Sequence, residues 1–228
     1  MKTSFLMTKI KIFISRELDQ KSPFKKALSH VCVDIDDQSL IFFSSVEFKQ
    51  VSSDWLFFYS KTGIQYFLSQ GGSTIKKKIG TFGPSTADYF FRNTNQKVDF
   101  IGTGERHDVA DKFEKTIGSE KVLFIVGQNS LRSVQKILKN DLHQEIIVYD
   151  NRPKTEFNIS VPEIAVFTSP MAVNTYFNKY PDRHHLNIAI GNTTFKALEK
   201  TNSNNSTMSE EPTEKSLAYS VLSYLNNL

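Results

Sequence analysis

Short apolar runs alternate along the chain with segments whose apolar residues recur every three or four positions. Ile10–Ser15, Trp55–Tyr59, Lys78–Phe82, Val98–Ile101, Val122–Val126, Glu145–Asp150, Ile164–Thr168 and Asn187–Ile190 have the length and β-branched or aromatic content of strands. Val31–Ile35 and Leu40–Phe43 read as further extended segments around the acidic D-I-D-D. Between these runs lie helical signals. Ser22 can cap a helix with Pro23 at its first position, and Thr62–Ser69 follows the strand Trp55–Tyr59. Ser85 is expected to cap a short helix reaching Arg92. A helix from near Asp108 buries Val109, Phe113 and Ile117 and stops at Gly118, a left-handed terminator. Another, from Asn129 or Ser130, sets Leu131, Val134, Ile137 and Leu138 on one face. Ser169-Pro170 opens the next. After a polar loop, N-S-N-N-S-T (202–207), a last helix from about Pro212 buries Leu217, Val221, Leu222 and Leu225. Strands alternating with helices predict βαβ units and mostly parallel sheets.

Part of this pattern occurs twice. W-L-F-F-Y-S-K-T-G-I-Q-Y-F-L (55–68) and I-A-V-F-T-S-P-M-A-V-N-T-Y-F (164–177) each give an apolar strand, a serine (Ser60 or Ser169) and a helix ending in aromatics. Ser60 is followed 23 residues later by Gly83 in I-G-T-F-G-P-S-T-A, and Ser169 22 residues later by Gly191 in I-A-I-G-N-T-T-F. Matched units at matched spacing mean a duplicated α/β architecture of two lobes with a ligand held between them. The 228-residue length accommodates two small domains.

Composition narrows the function classes. Hydrophobic residues make up 39% and charged residues 23%, enough to fill a core. No apolar run approaches the ~20 residues of a membrane span. Lys9 and Lys11 interrupt the apolar N-terminus, so it reads as a first core strand, not a leader, and a cytoplasmic protein is expected. Cys32 is the single cysteine, and His30, His107, His143, His184 and His185 fall in no metal-ligand spacing; no metal and no cofactor are expected. The net charge of +4 suits an anionic ligand but is too diffuse for nucleic acid, and Lys76-Lys77-Lys78 reads as a solvated strand entrance.

In parallel sheets ligands sit outside the carboxyl ends of the strands. The residues expected there are Ser60-Lys61, Gly83-Pro84-Ser85-Thr86, Gly102-Thr103-Gly104, Gly127-Gln128-Asn129, Ser169-Pro170 and Gly191-Asn192-Thr193-Thr194. Nearly all are glycines or small hydrogen-bonders at a helix N-terminus, where exposed N–H groups and the dipole favour anions. Ser, Asn and Thr are equally good helix caps, so no one site is decisive. Six together point to one polyanionic ligand.

The order and spacing of these motifs resemble the uroporphyrinogen-III synthase family. The likeness rests on the opening strand ending in I-S-R, on F-Y-S-K-T-G-I and F-T-S-P-M-A-V, and on the glycine turns F-G-P-S-T-A and I-G-N-T-T. V-L-F-I-V-G-Q-N-S-L-R, I-V-Y-D-N-R-P and S-E-E-P-T-E-K-S-L add to it. It implies two similar three-layer, flavodoxin-like α/β lobes with parallel sheets, joined by a two-stranded linker. Residues 1–33 and 153–228 would form the first lobe and 38–148 an inserted second lobe. Segments 32–39 and 145–152 would be paired crossing strands.

The family's substrate is hydroxymethylbilane, a linear tetrapyrrole with eight carboxylates, closed with inversion of ring D and loss of water. The resemblance thus implies a cofactor-free enzyme acting by proximity and orientation. Tyr149, at the end of E-I-I-V-Y and immediately before D-N-R-P, which is expected to be a polar turn, is either a donor to the departing hydroxyl or an interdomain packing residue. Ser60, Thr86, Asn129, Ser169 and Thr194 are candidate carboxylate contacts, and Arg16, Lys61 and Arg132 candidate carboxylate partners. Gly83, Ser85, Gly104, Gly127, Gln128, Pro170, Gly191, Asn192 and Thr193 complete the substrate-binding set. A monomer is expected, with a transient contact to the upstream hydroxymethylbilane synthase left open. The rival readings are a catalytically inactive two-lobed cytoplasmic binding or sensor module, and a dinucleotide enzyme suggested by Gly102-Thr103-Gly104. The second is weak because the third glycine of its fingerprint would fall at His107.

An insertion has a direct consequence. A fragment of residues 38–148 is expected to melt cooperatively by circular dichroism, whereas a fragment of 1–113, whose first strand lacks its sheet partners, is not. A cooperative melt for 1–113 would mean sequential halves.

Overall fold

The computed structural model describes residues 9–139, 141–201, 203 and 205–226. Met1–Thr8, read above as leading into the first strand, and residues 202 and 204 of the polar loop lie outside them. In chain order the first elements are β1 (Ile10–Ile14), α1 (Pro23–Leu28), β2 (Val33–Asp37) and β3 (Ile41–Ser45). Then come β4 (Trp55–Phe58), α2 (Lys61–Ser69), β5 (Lys78–Thr81), α3 (Pro84–Thr94), β6 (Phe100–Ile101), α4 (Arg106–Ile117), β7 (Val122–Gly127) and β8 (His143–Pro153). The chain ends with β9 (Ile164–Phe167), α5 (Pro170–Lys179), β10 (Leu186–Ala189), α6 (Asn192–Leu198), β11 (Ser206–Met208) and α7 (Glu214–Leu225).

Contacts divide the chain into two units. One is discontinuous, running to Phe42 and resuming at Arg152; the other is continuous, Phe43–Asn151.

The discontinuous unit holds a five-stranded, all-parallel sheet in the order β11-β10-β9-β1-β2. Counted along the chain within this unit, that is the 2-1-3-4-5 order of flavodoxin-like sheets. Successive residues alternate between its faces. Ile12, Ile14, Ile164 and Val166 pack on Phe24 and Leu28 of α1 and on Leu217, Ala218 and Val221 of α7. Phe13, Ala165 and Phe167 pack on Ala172, Val173, Tyr176 and Phe177 of α5 and Leu198 of α6. Strands covered on both faces are apolar at nearly every position, which explains the apolar runs. Burying one such large side chain contributes roughly 1.5–3 kcal/mol.

The continuous unit repeats the plan in the order β3-β8-β7-β4-β5-β6. Strands β8, β7, β4, β5 and β6 are parallel. At the edge, the Val46 N–H donates to the Val148 carbonyl (3.1 Å) and the Lys154 N–H to the Leu40 carbonyl (2.9 Å), an antiparallel register for β3 on β8. Leu56, Phe58, Leu123 and Ile125 face Ile64 and Phe67 of α2 and Phe90 of α3. Trp55, Phe57, Val122, Phe124 and Val126 face Val109, Phe113 and Ile117 of α4. Strands β8-β7-β4-β5-β6 correspond to β2-β1-β9-β10-β11. The N-terminal strands β1 and β2 therefore complete a repeat that begins at β9.

Several expectations need correction. Residues 128–138 form turns, not a helix: Arg132 takes a left-handed φ of +55°, and Leu131 is exposed. Gly83, not Ser85, is the N-cap of α3, and α4 begins at Arg106. Gly118 has φ +55° but ψ −115°, outside the left-handed helical region. D-N-R-P (150–153) continues β8 instead of turning, which places Tyr149 inside the strand. On the side away from β7, β8 pairs with β3, while 33–37 pairs with β1, so 32–39 is not the crossing strand expected. Ser206–Met208 form edge strand β11, overlapping the end of the segment (202–207) expected to be a polar loop.

One polar pair is sunk in the discontinuous unit. His185, 7% exposed, sets Nε2 at 2.9 Å from the Tyr176 hydroxyl, which also accepts from Arg183 Nη1 at 3.2 Å. Burial, reinforced by the Arg183 charge, pushes the imidazole down to about 4. The unfolded chain, with the ordinary value near 6.5, binds a proton that the folded chain refuses. Stability is therefore full above about pH 6.5 and falls as pH drops towards 4, by up to about 3 kcal/mol. Thermal melts from pH 7 to 4.5 should show a shallower acid-side loss for His185→Gln than for the parent; equal slopes would refute this.

Candidate functional site

Every helix that follows a parallel strand starts at that strand's carboxyl end, and the two repeats start theirs in the same way. Ser60 (φ −153°, ψ 159°) accepts the Gly63 N–H at 3.1 Å, and Ser169 (φ −161°, ψ 155°) accepts the Ala172 N–H at 3.2 Å. Such caps contribute about 1 kcal/mol each. One strand on, Gly83 and Gly191 are extended N-caps without a side-chain cap, each accepting from the third residue: Thr86 N–H at 3.1 Å and Thr194 N–H at 3.0 Å. Ser85, Asn192 and Thr193 lie in these first turns, all three exposed. Thr86 and Thr194 are 8% and 1% exposed, so their hydroxyls sit beneath the turn.

In the continuous unit the strand order reverses between β4 and β7, the position where open α/β sheets form a crevice. Ser60 ends one strand and Gly127 the other. Between Val126 and Gly127 the register on β8 slips, so that Gly127 faces Tyr149 in place of Val148. The phenol then lies directly over Gly127, where a Cβ would come within 2.4 Å of Cζ and 2.7 Å of the hydroxyl. Only glycine admits it. The ring stacks on Tyr66 (5.4 Å) and touches Phe43 (6.0 Å), and its hydroxyl hydrogen-bonds Ser60. Burial raises the phenol's pKa, keeping it protonated and able to donate. Ser60, Gly127 and Tyr149 are thus brought together.

The neighbouring candidates are partly engaged. The Gln128 N–H donates to the Tyr149 carbonyl (2.9 Å), and Asn129 Nδ2 to the Asn151 carbonyl (2.7 Å). Arg132 is turned onto Glu145, with Nε and Nη2 on the carboxylate at 2.8–3.0 Å. That guanidinium holds the Glu145 carboxyl below its ordinary range. Lys61 is exposed at the first position of α2. Gly104 (φ +90°) lies beside the Asp108 carboxylate, past the end of β6, two strands out from β4.

In the discontinuous unit the reversal lies between β1 and β9. The Ser15 hydroxyl accepts the Thr168 N–H at 2.9 Å, joining the two strand ends. Arg16 Nη1 reaches Glu214 Oε1 at 3.3 Å, and the Ser22 hydroxyl donates to Glu214 Oε2 at 2.7 Å. Ser169 and Pro170 open α5 beside them, and Gly191–Thr194 stand one strand away. Sequence reasoning missed Ser15, Thr168, Glu214 and Tyr66. Ser15 was legible beside Arg16 in I-S-R, but Glu214, 198 residues from Arg16, was not.

Among the described residues no group of His, Cys, Asp and Glu could hold a metal ion, and no helix is long and apolar enough to cross a membrane.

Two solved structures share this fold. A uroporphyrinogen-III synthetase from Helicobacter pylori 26695 superposes with a TM-score of 0.70 at 17% identity, covering 95% of this chain and 100% of that one. A mutant uroporphyrinogen III synthase from the extremely thermophilic bacterium Thermus thermophilus gives 0.60 at 12% identity, covering 96% and 100%. No curated protein sequence matches the chain. The family model described as uroporphyrinogen-III synthase HemD matches residues 32–218, most of the chain, and on that match the chain belongs to the uroporphyrinogen-III synthase family.

Proposed function

We propose that this chain is a lyase that cyclises hydroxymethylbilane to uroporphyrinogen III. The observation carrying this reading is the family match over residues 32–218. The substrate's terminal hydroxyl leaves with a proton as water, giving an electrophilic azafulvene end. The far pyrrole attacks that end through a spiro intermediate, which reopens and recloses with ring D inverted. Free in water the bilane closes without inversion, so the protein must hold a folded conformation and assist one departure.

The residues fit such a task. Helix starts at Ser60-Lys61, Gly83–Thr86, Ser169-Pro170 and Gly191–Thr194 offer N–H groups and hydroxyls to carboxylates. Arg16, half exposed beside Glu214, adds positive charge. Tyr149 is the donor to the departing hydroxyl, since its protonated phenol is held between Ser60 and Gly127.

Purified protein given freshly made hydroxymethylbilane should yield the type III isomer without added metal or cofactor. Product that is all type I, at the spontaneous rate, would make the chain a binding module instead. Tyr149→Phe keeps the ring stacked on Tyr66 and should leave the melting temperature nearly unchanged. Turnover should fall by up to about 100-fold, near the low end for general-acid assistance because orientation carries much of the reaction. Unchanged turnover would make Tyr149 a bystander.

A further inference from the structure

Residues 128–138, in the β7–β8 connection, stand where the other repeat has α1. They carry helix-like apolar spacing yet form turns. Polar side chains hold them there. The Tyr59 hydroxyl, at the end of β4, accepts the N–H groups of Val134 and Gln135, both at 3.1 Å. Arg132, at φ +55°, is in a region that side-chain-bearing residues rarely adopt unless their surroundings impose it. Its guanidinium is spent on Glu145 and on the loop's own carbonyls, Ser130 at 2.9 Å and Gln128 at 3.5 Å. Gln135 Nε2 also donates to Glu145. The chain of bonds leads to the candidate donor: Arg132 holds the Gln128 carbonyl, and the Gln128 N–H holds the Tyr149 carbonyl.

We propose that Tyr59, Arg132 and Glu145 are positioning residues of the cyclisation, locking residues 128–138 so that Gln128 and Asn129 are presented beside Tyr149, and that Arg132 itself binds no substrate carboxylate. This rests on the synthase reading given above. A bidentate Arg–carboxylate pair is geometrically stringent, and an isolated one on the surface adds little stability. Here it is joined to a strained residue and to the loop next to Gly127. The three residues therefore fix geometry more than they add stability.

The test is steady-state kinetics on hydroxymethylbilane with the isomers separated, well below every variant's melting temperature. Four variants are compared with the parent: Tyr59→Phe, Arg132→Gln, Glu145→Gln and the double Arg132→Gln/Glu145→Gln. Tyr59→Phe keeps the ring against Phe57, Phe82 and Phe124, so it should fold. Each single variant should lose about two- to tenfold in kcat/KM. Each should also release a larger share of type I, and the double should be no worse than its singles. If Arg132 contacts substrate, freeing it with Glu145→Gln should lower KM while Arg132→Gln raises it; that pattern overturns the proposal. Parent-like kinetics and isomer ratio with only a lowered melting temperature would make the network structural and overturn it too. A parent that makes no type III isomer would sink the synthase reading, and the proposal with it.

Discussion

Parallel strands buried on both faces leave polar chemistry little room except at the ends of the strands. In this chain β4, β7, β9 and β10 are apolar at nearly every position because helices cover both faces of their sheets. Each parallel strand must be followed by a crossover, so the helix starts collect at the carboxyl ends. There the first N–H groups have no partner within the helix. Serines 60 and 169 and glycines 83 and 191 occupy these positions with near-identical backbone angles. The collection of helix N-termini at one end of each sheet follows from topology before any side chain is chosen.

Within the continuous unit one close approach adds chemistry to that scaffold. The register slip at Gly127 turns Tyr149 onto the end of β7, and the missing side chain makes room for the phenol. Burial then keeps the proton on the oxygen, while Ser60 gives the hydroxyl a fixed partner. Here the packing of the ring on Tyr66 and Phe43 is what aims the hydroxyl.

The two repeats differ most after the strand at the reversal point. The discontinuous unit continues into α1, whose Phe24 and Leu28 are fully buried. The continuous unit forms turns, anchored by Val134 inside and by Tyr59 and Glu145 outside the loop. The burial that pushes the Tyr59 phenol up to about 12 also keeps it neutral, so its oxygen serves the loop as an uncharged acceptor. Giving up a helix there replaces local hydrogen bonds with tertiary ones.

The amino-acid sequence by itself determined the strands, the duplication, the parallel sheets and the cluster of glycines and hydroxyls at strand ends. Those features are written in local patterns: apolar runs, caps such as Ser22, Ser60 and Ser169, and Pro at first helical positions. The helix expected after Val126 was wrong because periodicity cannot register that Tyr59, some 75 residues away, takes the N–H groups of Val134 and Gln135. The turn expected at D-N-R-P was wrong because edge pairing with β3 draws those residues into β8. Arg132 was legible as a cation at a strand end, but not as the partner of Glu145. Only the tertiary structure decided which strands are neighbours, which charges are already paired and which side chain lies over Gly127, because each depends on contacts between residues far apart in sequence.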